Sequence, residues 1–113
     1  MSDPCLFCRI VRKEIPASIV AETEHCVAFR DINPQAPVHI LVVPKEHVAS
    51  LSTTKDAAMI GRLALLAAEL AEKEGIAERG YRTVINTNAD AGQTVFHVHL
   101  HLLGGRHMKW PPG

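Results

Sequence analysis

The stretch HVHLHLL, His97 to Leu103, alternates histidine with apolar residues at a period of two. This is the period of a β-strand, in which successive side chains point to opposite faces of the sheet. We therefore expect the three imidazoles on one face and Val98, Leu100 and Leu102 on the other, packed into a core. Burial of the apolar face would fix the register of the strand and hold the imidazoles rigidly.

Other segments have the composition of strands. We expect strands over residues 18–23, 25–29, 39–43, 81–88 and 95–103. The first two flank a tight turn at Glu24, and the prolines of residues 33–37 predict another turn. Residues 39–43 (HILVV) are apolar on both faces and rich in β-branched side chains, which is typical of a central, covered strand.

Two helices complete the pattern. Residues 5–13 predict a short helix with Leu6, Ile10 and Val11 on one side, ended by Pro16. A long helix begins near Thr53 and Asp56, which can both cap free backbone N–H groups, and ends at Gly75. Its buried stripe is Met59, Leu63, Leu66 and Leu70. The sequence therefore predicts one α+β domain over residues 1–113: an antiparallel sheet covered by one long helix, with a short N-terminal helix.

The charge balance and the cysteines restrict the class of protein. Twelve basic and twelve acidic residues give a formal net charge of zero, so no excess of positive charge attracts nucleic acid or an anionic membrane. No apolar run approaches the length of a membrane span, and the N-terminus lacks the pattern of a secretory signal. Three cysteines are too few and odd in number for a secreted disulfide framework. These features predict a cytoplasmic protein that binds neither nucleic acid nor membrane.

Three histidines on one face of a strand have three interpretations. Buried structural histidines are the least favoured, because each ring has a donor and an acceptor that need partners. A catalytic metal held by the three rings is a second interpretation, but residues 102–108 supply no carboxylate to complete such a site. Imidazole itself is the third, since its pKa near 6.5 leaves a neutral, nucleophilic nitrogen at pH 7.

The stretch HVHLHLL resembles the histidine-triad motif, H-φ-H-φ-H-φ-φ with φ apolar. The resemblance extends from CLFC at residues 5–8, through DINPQAPVH at 31–39 and VPKEH at 43–47, to the end of the chain. The terminal GGRHMKWPPG, residues 104–113, is similar to Hint-type purine nucleoside phosphoramidases in particular. The resemblance implies a HIT-like fold and a hydrolase that cleaves nucleoside 5′-phosphoramidates, AMP- or GMP-linked amines, through a nucleotidyl-histidine intermediate.

The resemblance also implies roles for individual residues. His99 matches the nucleophile, His101 the histidine that contacts the phosphate and the leaving group, and His39 a supporting histidine on a neighbouring strand. Asp31, beside Ile32, matches the residue that binds the ribose hydroxyls. The phosphate-side contacts of the family match Asn86, Gly92, Gln93 and Thr94. Without the resemblance, Asp31 would be interpreted as a turn residue, and the Gly92–Thr94 segment as a plain polar loop.

Cys5 and Cys8 form a C-x-x-C pair that many Hint-type sequences lack. In related triad proteins such a pair binds zinc with two histidines, and the matching positions here are His47 and His97. Two cysteines and two histidines make a closed tetrahedral set, as in a structural zinc site. A redox pair, or two ordinary helical cysteines, are the alternatives.

The end of the chain carries one further implication. In the phosphoramidases a tail similar to residues 107–113 reaches the partner's active site in a two-fold dimer, and a tryptophan such as Trp110 is an efficient interface anchor. The resemblance therefore implies a homodimer with the two sheets joined across the two-fold axis. A dinucleoside polyphosphate hydrolase, and a nucleotide-binding interaction protein with incidental catalysis, remain the alternative functions.

Overall fold

The computed structural model describes residues 4–113 and contains two α-helices and a five-stranded sheet. The elements in chain order are α1 (Leu6–Val11), β1 (Ile19–Glu22), β2 (Cys26–Arg30), β3 (Val38–Pro44), α2 (Ala57–Lys73), β4 (Tyr81–Val84) and β5 (Leu100–Gly104). Every pair of neighbouring strands is antiparallel, in the order β1-β2-β3-β5-β4. The α+β class and the predicted helix-covered antiparallel sheet are confirmed.

β3 is the central strand, as its apolar sequence predicts. Its residues 39–44 are all buried, because helices cover the sheet on both sides here. Ile40 and Val42 pack with Leu100 and Leu102 of β5 in the core under α2. The opposite face carries Leu41 and Val43 in a second cluster, which includes residues of α1.

α2 follows its predicted stripe. Met59, Leu63, Leu66 and Leu70 are buried against the sheet, and Gly75 follows the helix with φ of +74°. The Asp56 side chain accepts a hydrogen bond from the Met59 N–H at 3.1 Å and caps the N-terminus. Thr53 is not part of this cap, because its hydroxyl oxygen accepts from the Ser50 N–H within the preceding 3₁₀ turn.

α1 differs from the prediction in its buried face and its end. Phe7, Cys8 and Ile10 are buried, whereas Leu6 is 45% exposed. The helix packs across the sheet rather than on the long helix, and this contact selects the Phe7 side. It ends before Pro16, where Lys13 adopts φ of +60° and its N–H bonds the Ile10 carbonyl.

The strands around the histidine motif are shorter than predicted. β4 ends at Val84 instead of Asn88, and β5 begins at Leu100, so His97 and His99 precede the ladder. The Val98 N–H instead donates to the Val48 carbonyl at 2.7 Å, which ties this approach segment to the loop after β3. Val98 is nevertheless buried in the core with Leu100, so the predicted alternation of faces is confirmed.

Within residues 4–113, no helix combines the length and the apolar character that crossing a membrane requires.

Candidate functional site

The three motif histidines lie on the face of the sheet that α1 covers. His97 is fully buried, His99 is 8% exposed and His101 is half-buried. His101 is also on the same face as His39, because residues 39 and 101 are diagonal neighbours in the pairing of β3 with β5. The register of the sheet thus assembles four histidines that are up to 62 residues apart in sequence.

A backbone carbonyl determines the tautomer of His99. The His99 Nδ1 lies 2.8 Å from the His97 carbonyl oxygen, which can only accept, so Nδ1 carries the proton and donates. The Nε2 nitrogen therefore keeps its lone pair, and within the described residues no hydrogen bond engages it. This arrangement leaves a neutral nitrogen that is able to attack an electrophile.

A second chain of hydrogen bonds orients His101. The Gln35 backbone N–H donates to His39 Nδ1 at 3.0 Å, so the proton of neutral His39 is on Nε2. That N–H donates to His101 Nδ1 at 2.9 Å, which places the proton of His101 on its own Nε2. His101 is therefore arranged as a hydrogen-bond donor beside His99, with the two ring centroids 5.0 Å apart.

Burial keeps these two rings uncharged. It lowers the pKa of His101 to about 4, in the same direction as the nearby His99 and His39, while Asp31 opposes the shift. Burial also lowers the pKa of His39, again against the attraction of Asp31. Both imidazoles are neutral at pH 7, in agreement with the donor and acceptor assignments above.

His97 turns toward the two cysteines. Its Nε2 donates to the Pro44 carbonyl at 2.8 Å, so the lone pair of Nδ1 points to the sulfur atoms of Cys5 and Cys8, at 3.4 and 3.5 Å. The His47 Nδ1 lies 3.2 Å from the Cys8 sulfur. The ligand atoms of all four residues lie within 4.8 Å of one another.

These distances fit a tetrahedral zinc ion. Zn–S and Zn–N bonds of about 2.3 and 2.0 Å at the tetrahedral angle separate sulfur and nitrogen by about 3.5 Å, near the 3.2–3.5 Å observed between cysteine and histidine. The bond from His97 Nε2 to a carbonyl is also the support that a metal-binding histidine requires. The residues present therefore fit a closed four-ligand site.

Asp31, His39 and His101 also lie within 4.8 Å of one another, but they do not suit a metal. The N–H···N bond between the two imidazoles, 2.9 Å long, uses the nitrogens that an ion between them would need. The geometry thus separates a hydrogen-bonded set from a candidate metal-binding set, and His97 belongs to the second.

A family model for the HIT domain matches residues 12–108 of the chain. The chain belongs to the HIT family. An uncharacterized HIT-like protein of Synechococcus elongatus is 55% identical to it over the full length of both chains. The crystal structure of a HIT family hydrolase from Legionella pneumophila matches it with a TM-score of 0.94 and 50% identity, covering 96% of this chain and 99% of that one.

Two more distant HIT structures are described by what they bind. A histidine triad nucleotide-binding protein from Candida albicans matches with a TM-score of 0.82 and 32% identity, over 95% of this chain and 82% of that one. A Zn-bound histidine triad family protein from Mycobacterium smegmatis matches with a TM-score of 0.81 and 33% identity, over 91% and 76%. The chain thus has the fold of HIT hydrolases and nucleotide-binding HIT proteins.

Asp31 of this HIT domain lies at the edge of the histidine network. Its Oδ1 accepts from the Asn33 N–H at 2.8 Å, and its Oδ2 lies 3.5 Å from His39 Nε2. The carboxylate is partly exposed and retains lone pairs for a ligand. Ile32, the next residue, is fully exposed. Asp31 is therefore both a turn residue and an available acceptor next to the triad.

The loop residues differ in how free their polar groups are. Gly92 has φ of +86°, Thr94 is exposed and Asn86 is half-buried. Gln93 is buried: its amide oxygen accepts from the Asn88 N–H, and its amide nitrogen donates to the carbonyls of Ala49 and Val95. Its backbone N–H is also engaged, with the Asn88 carbonyl. The hydrogen bonds of Gln93 thus hold the loop in shape, and its N–H groups already have partners within the protein.

One residue of the site escaped the sequence analysis. Phe7 is buried beside the nucleophile candidate, with its ring centroid 4.9 Å from that of His99. The apolar stripe of the first helix was assigned to Leu6, Ile10 and Val11. The signal that could have found Phe7 is its position between Cys5 and Cys8, the two candidate metal ligands, because a metal bound there would turn one helix face toward the triad.

Proposed function

We propose that this HIT protein is a hydrolase of nucleoside 5′-phosphoramidates, acting on AMP- or GMP-linked amines through a nucleotidyl-His99 intermediate. The observation that carries the proposal is the hydrogen bond from His99 Nδ1 to the His97 carbonyl. It leaves the Nε2 lone pair of a neutral imidazole available next to a second imidazole that can donate. A histidine nucleophile on phosphorus needs this combination.

The reaction proceeds in two displacements at phosphorus. His99 Nε2 attacks the α-phosphorus, an Nε2–P bond forms, and the P–N bond to the amine breaks with its electron pair leaving on nitrogen. The amine takes up a proton that ultimately comes from water. A water molecule then attacks the phosphorus, the Nε2–P bond breaks, and the nucleoside monophosphate leaves. The net reaction consumes one water and regenerates neutral His99.

His101 and His39 support both displacements. His101 presents an Nε2–H that can donate to a phosphoryl oxygen or to the leaving nitrogen, since His39 occupies its Nδ1. A donor that is already oriented stabilises the charge that develops on the phosphoryl group without reorganising. His39 acts by holding the tautomer of His101, which is why we assign it to the catalytic set.

The nucleoside would bind beside the Asp31–Ile32 turn. A carboxylate with unused lone pairs can accept hydrogen bonds from both ribose hydroxyls, and the exposed Ile32 offers an apolar surface to a purine. We assign the phosphate side to Asn86, Gly92 and Thr94, with Gln93 holding their loop in place. The nucleotide-binding HIT protein from Candida albicans supports this class of ligand.

We propose zinc at the site formed by Cys5, Cys8, His47 and His97. Zinc with four protein ligands has no open position for water or phosphate, so it supplies cross-linking rather than chemistry. The S···N distances of 3.2–3.5 Å support this assignment, as does the Zn-bound relative from Mycobacterium smegmatis. We also propose a cytoplasmic location, the compartment in which a cysteine pair of this kind remains available to bind metal.

We further propose a homodimer joined along β4, with residues 107–113 at the interface. β4 is an edge strand, and an unpaired edge is a template for a second copy. Trp110 is 82% exposed, although the tail is anchored by the Arg82 guanidinium, which donates to the Lys109 carbonyl at 3.0 Å. A surface cleft of about 450 Å³ lies between the tail, the start of β4 and the end of α2, and the partner would border it.

The decisive experiment is single-turnover kinetics with an adenosine 5′-phosphoramidate, followed by acid-free quenching and mass analysis. We expect a protein species heavier by one adenylyl group, on His99. His99→Ala should lower the rate of turnover by several orders of magnitude, each tenfold loss being about 1.4 kcal/mol of barrier. The variant should still bind AMP. His25→Ala is the matched control, because this exposed imidazole lies outside the site and should leave turnover unchanged.

Other outcomes would identify the alternatives. Adenylylation of His101, or full turnover by His99→Ala, would contradict the nucleophile assignment. Faster cleavage of a dinucleoside polyphosphate than of the phosphoramidate would favour the polyphosphate hydrolase. AMP binding with no turnover of either substrate would favour the binding protein with incidental catalysis.

A further inference from the structure

Phe7 connects the two halves of the site. Its ring lies perpendicular to that of His99, at 88° with centroids 4.9 Å apart, and it also contacts His97 at 6.0 Å and 70°. The ring of Phe29 in β2 also packs against Phe7, with the two ring centroids 5.4 Å apart. These are edge-to-face separations, the arrangement in which aromatic rings attract each other. One side chain of α1 therefore touches both the nucleophile candidate and a metal-ligand candidate.

The orientation of His99 needs more than its hydrogen bond. The bond from Nδ1 to the His97 carbonyl holds one side of the ring but still allows small changes in χ1 and χ2 that tilt it. Phe7 contacts the ring on one side, and His101 lies on another with centroids 5.0 Å apart. These contacts restrict the plane of the imidazole and thus the direction of the Nε2 lone pair.

The metal-site cysteines flank Phe7 in the chain. Cys5 precedes and Cys8 follows it, and their sulfur atoms lie within 3.5 Å of His97 or His47 nitrogens. α1 has only six residues, too few to be stable without outside contacts. Cross-linking of the two cysteines to His47 and His97 would therefore determine where Phe7 sits.

We infer that Phe7 is a positioning residue for His99 and the route by which metal occupancy at Cys5, Cys8, His47 and His97 controls the reaction. The inference rests on the proposed function for its kinetic consequence only. A shift of a reacting group by about 1 Å can cost up to a hundredfold in rate. Displacement of α1 thus lowers turnover although the metal takes no part in the chemistry.

The first test compares two buried phenylalanines. Phe7→Leu removes the ring that pairs with His99. Phe29→Leu removes an equally buried ring that, among the aromatic ring pairs of the described residues, pairs with Phe7 and with no triad histidine. Both variants should lose thermal stability to a similar extent. We expect Phe7→Leu to lower kcat by about tenfold or more, and Phe29→Leu to retain most of it.

A readout that needs no substrate accompanies the kinetics. Nitrogen NMR of the imidazole rings should show a single Nδ1–H tautomer for His99 in the metal-loaded wild type. In Phe7→Leu the ring can turn away from the His97 carbonyl that fixes this tautomer, so we expect a mixture. Phe7→Tyr keeps the ring and should keep the single tautomer even if the buried hydroxyl lowers stability. Should Phe7→Leu fail to fold, Phe7→Met, whose flexible side chain fills irregular cores, takes its place.

The second test is a cycle that combines Phe7→Leu with metal removal by a chelator. We expect chelation to lower kcat and mix the His99 tautomers in the wild type, but to have little further effect in Phe7→Leu. If the effects of Phe7→Leu and of chelation on kcat multiply, the inference is overturned, because the metal and Phe7 then act on His99 independently. An unchanged His99 tautomer in Phe7→Leu would also overturn it. Absence of phosphoramidate turnover in the wild type would contradict the proposed function alone, since the NMR arm still reports on Phe7.

Discussion

At the scale of the residue, backbone groups determine what each histidine can do. The carbonyl of His97 makes His99 an Nδ1 donor, the carbonyl of Pro44 makes His97 an Nε2 donor, and the N–H of Gln35 starts the chain that ends at His101. Four rings of one chemical type thus take different roles. The roles follow from which backbone atom each ring meets.

The lowered pKa of His101 predicts a loss of stability in acid. The folded protein holds this ring neutral to about pH 4, whereas the unfolded chain protonates it near pH 6.5. The contribution of His101 to stability is therefore full above pH 6.5 and is lost as the pH drops from 6.5 to about 4. One pKa unit corresponds to about 1.4 kcal/mol, so the shift implies a loss of stability of about 3 kcal/mol. Because the ring is partly exposed, solvent screening makes the actual loss smaller.

Urea unfolding at several pH values measures this effect. His101→Asn should show a shallower decline than the wild type between pH 6.5 and 4, because it removes this titrating ring. Equal slopes in the two proteins would contradict the prediction.

At the scale of the element, the two faces of the sheet have separate cores. α2 covers one cluster, which includes Leu63, Ile40 and Leu102, whereas α1 covers the other with Phe7 and Ile10. Of the proposed metal ligands, Cys5 packs against the second cluster, and none of the four is a member of the first. The chain therefore has a core that does not depend on the metal.

Chelation should lower the melting temperature without unfolding the protein. Zinc binding needs thiolates and neutral imidazoles, and its loss loosens α1 while the core under α2 remains. Cys5→Ala combined with Cys8→Ala should reproduce the shift, with far-UV circular dichroism retained at 25 °C. Cys26→Ala, at a cysteine outside the cluster, should leave the zinc content unchanged. Complete unfolding by the chelator, or zinc retained by the double variant, would contradict the prediction.

Substitution of two glycines tests the packing on the side of the sheet that α2 covers. A Cβ at Gly104 would lie 2.5 Å from Cδ1 of Ile76, so Gly104→Ala should destabilise the protein by about 1–3 kcal/mol. At Gly61, inside α2, no described atom outside the adjoining residues and the local helix backbone lies within 4 Å of the added Cβ. Gly61→Ala should therefore stabilise the helix by roughly 0.5–1 kcal/mol. Urea unfolding measures both, and a stabilising Gly104→Ala would contradict this account of the packing.

At the scale of the whole molecule, the described chain leaves apolar groups at one end of the sheet uncovered. Trp110 and Tyr81 are 82% and 38% exposed, near the edge strand β4 and the tail. A second copy joined along β4 would cover this region and extend the sheet.

We predict a homodimer whose tail affects the partner's substrate choice. Deletion of residues 109–113 should change the preference among amine leaving groups more than it changes the melting temperature, because the tail contributes no residue to either core cluster. Sedimentation should give the mass of two chains at micromolar concentration. A stable monomer, or a deletion that lowers stability without altering preference, would contradict the proposal.

Local periodicity was enough to predict much of this protein. The stripe of α2, the covered strand β3 and the alternation of His97–Leu103 depend on side-chain spacing within one element, and the structure confirms them. The motif also identified the family. Patterns of this kind are readable because burial of one face requires a fixed period.

Only the tertiary structure decided the buried face of α1, the tautomers and the position of Phe7. Cys5 meets His97 across 92 residues, and Gln35 aims its N–H at His39 because a turn brings it there. An α1 of six residues has too few turns for a periodic signal, so the surface on which it packs selected its face. Contacts between backbone atoms and distant rings leave no trace in the order of side chains. Every residue supplies the same carbonyl, and every residue except proline the same N–H.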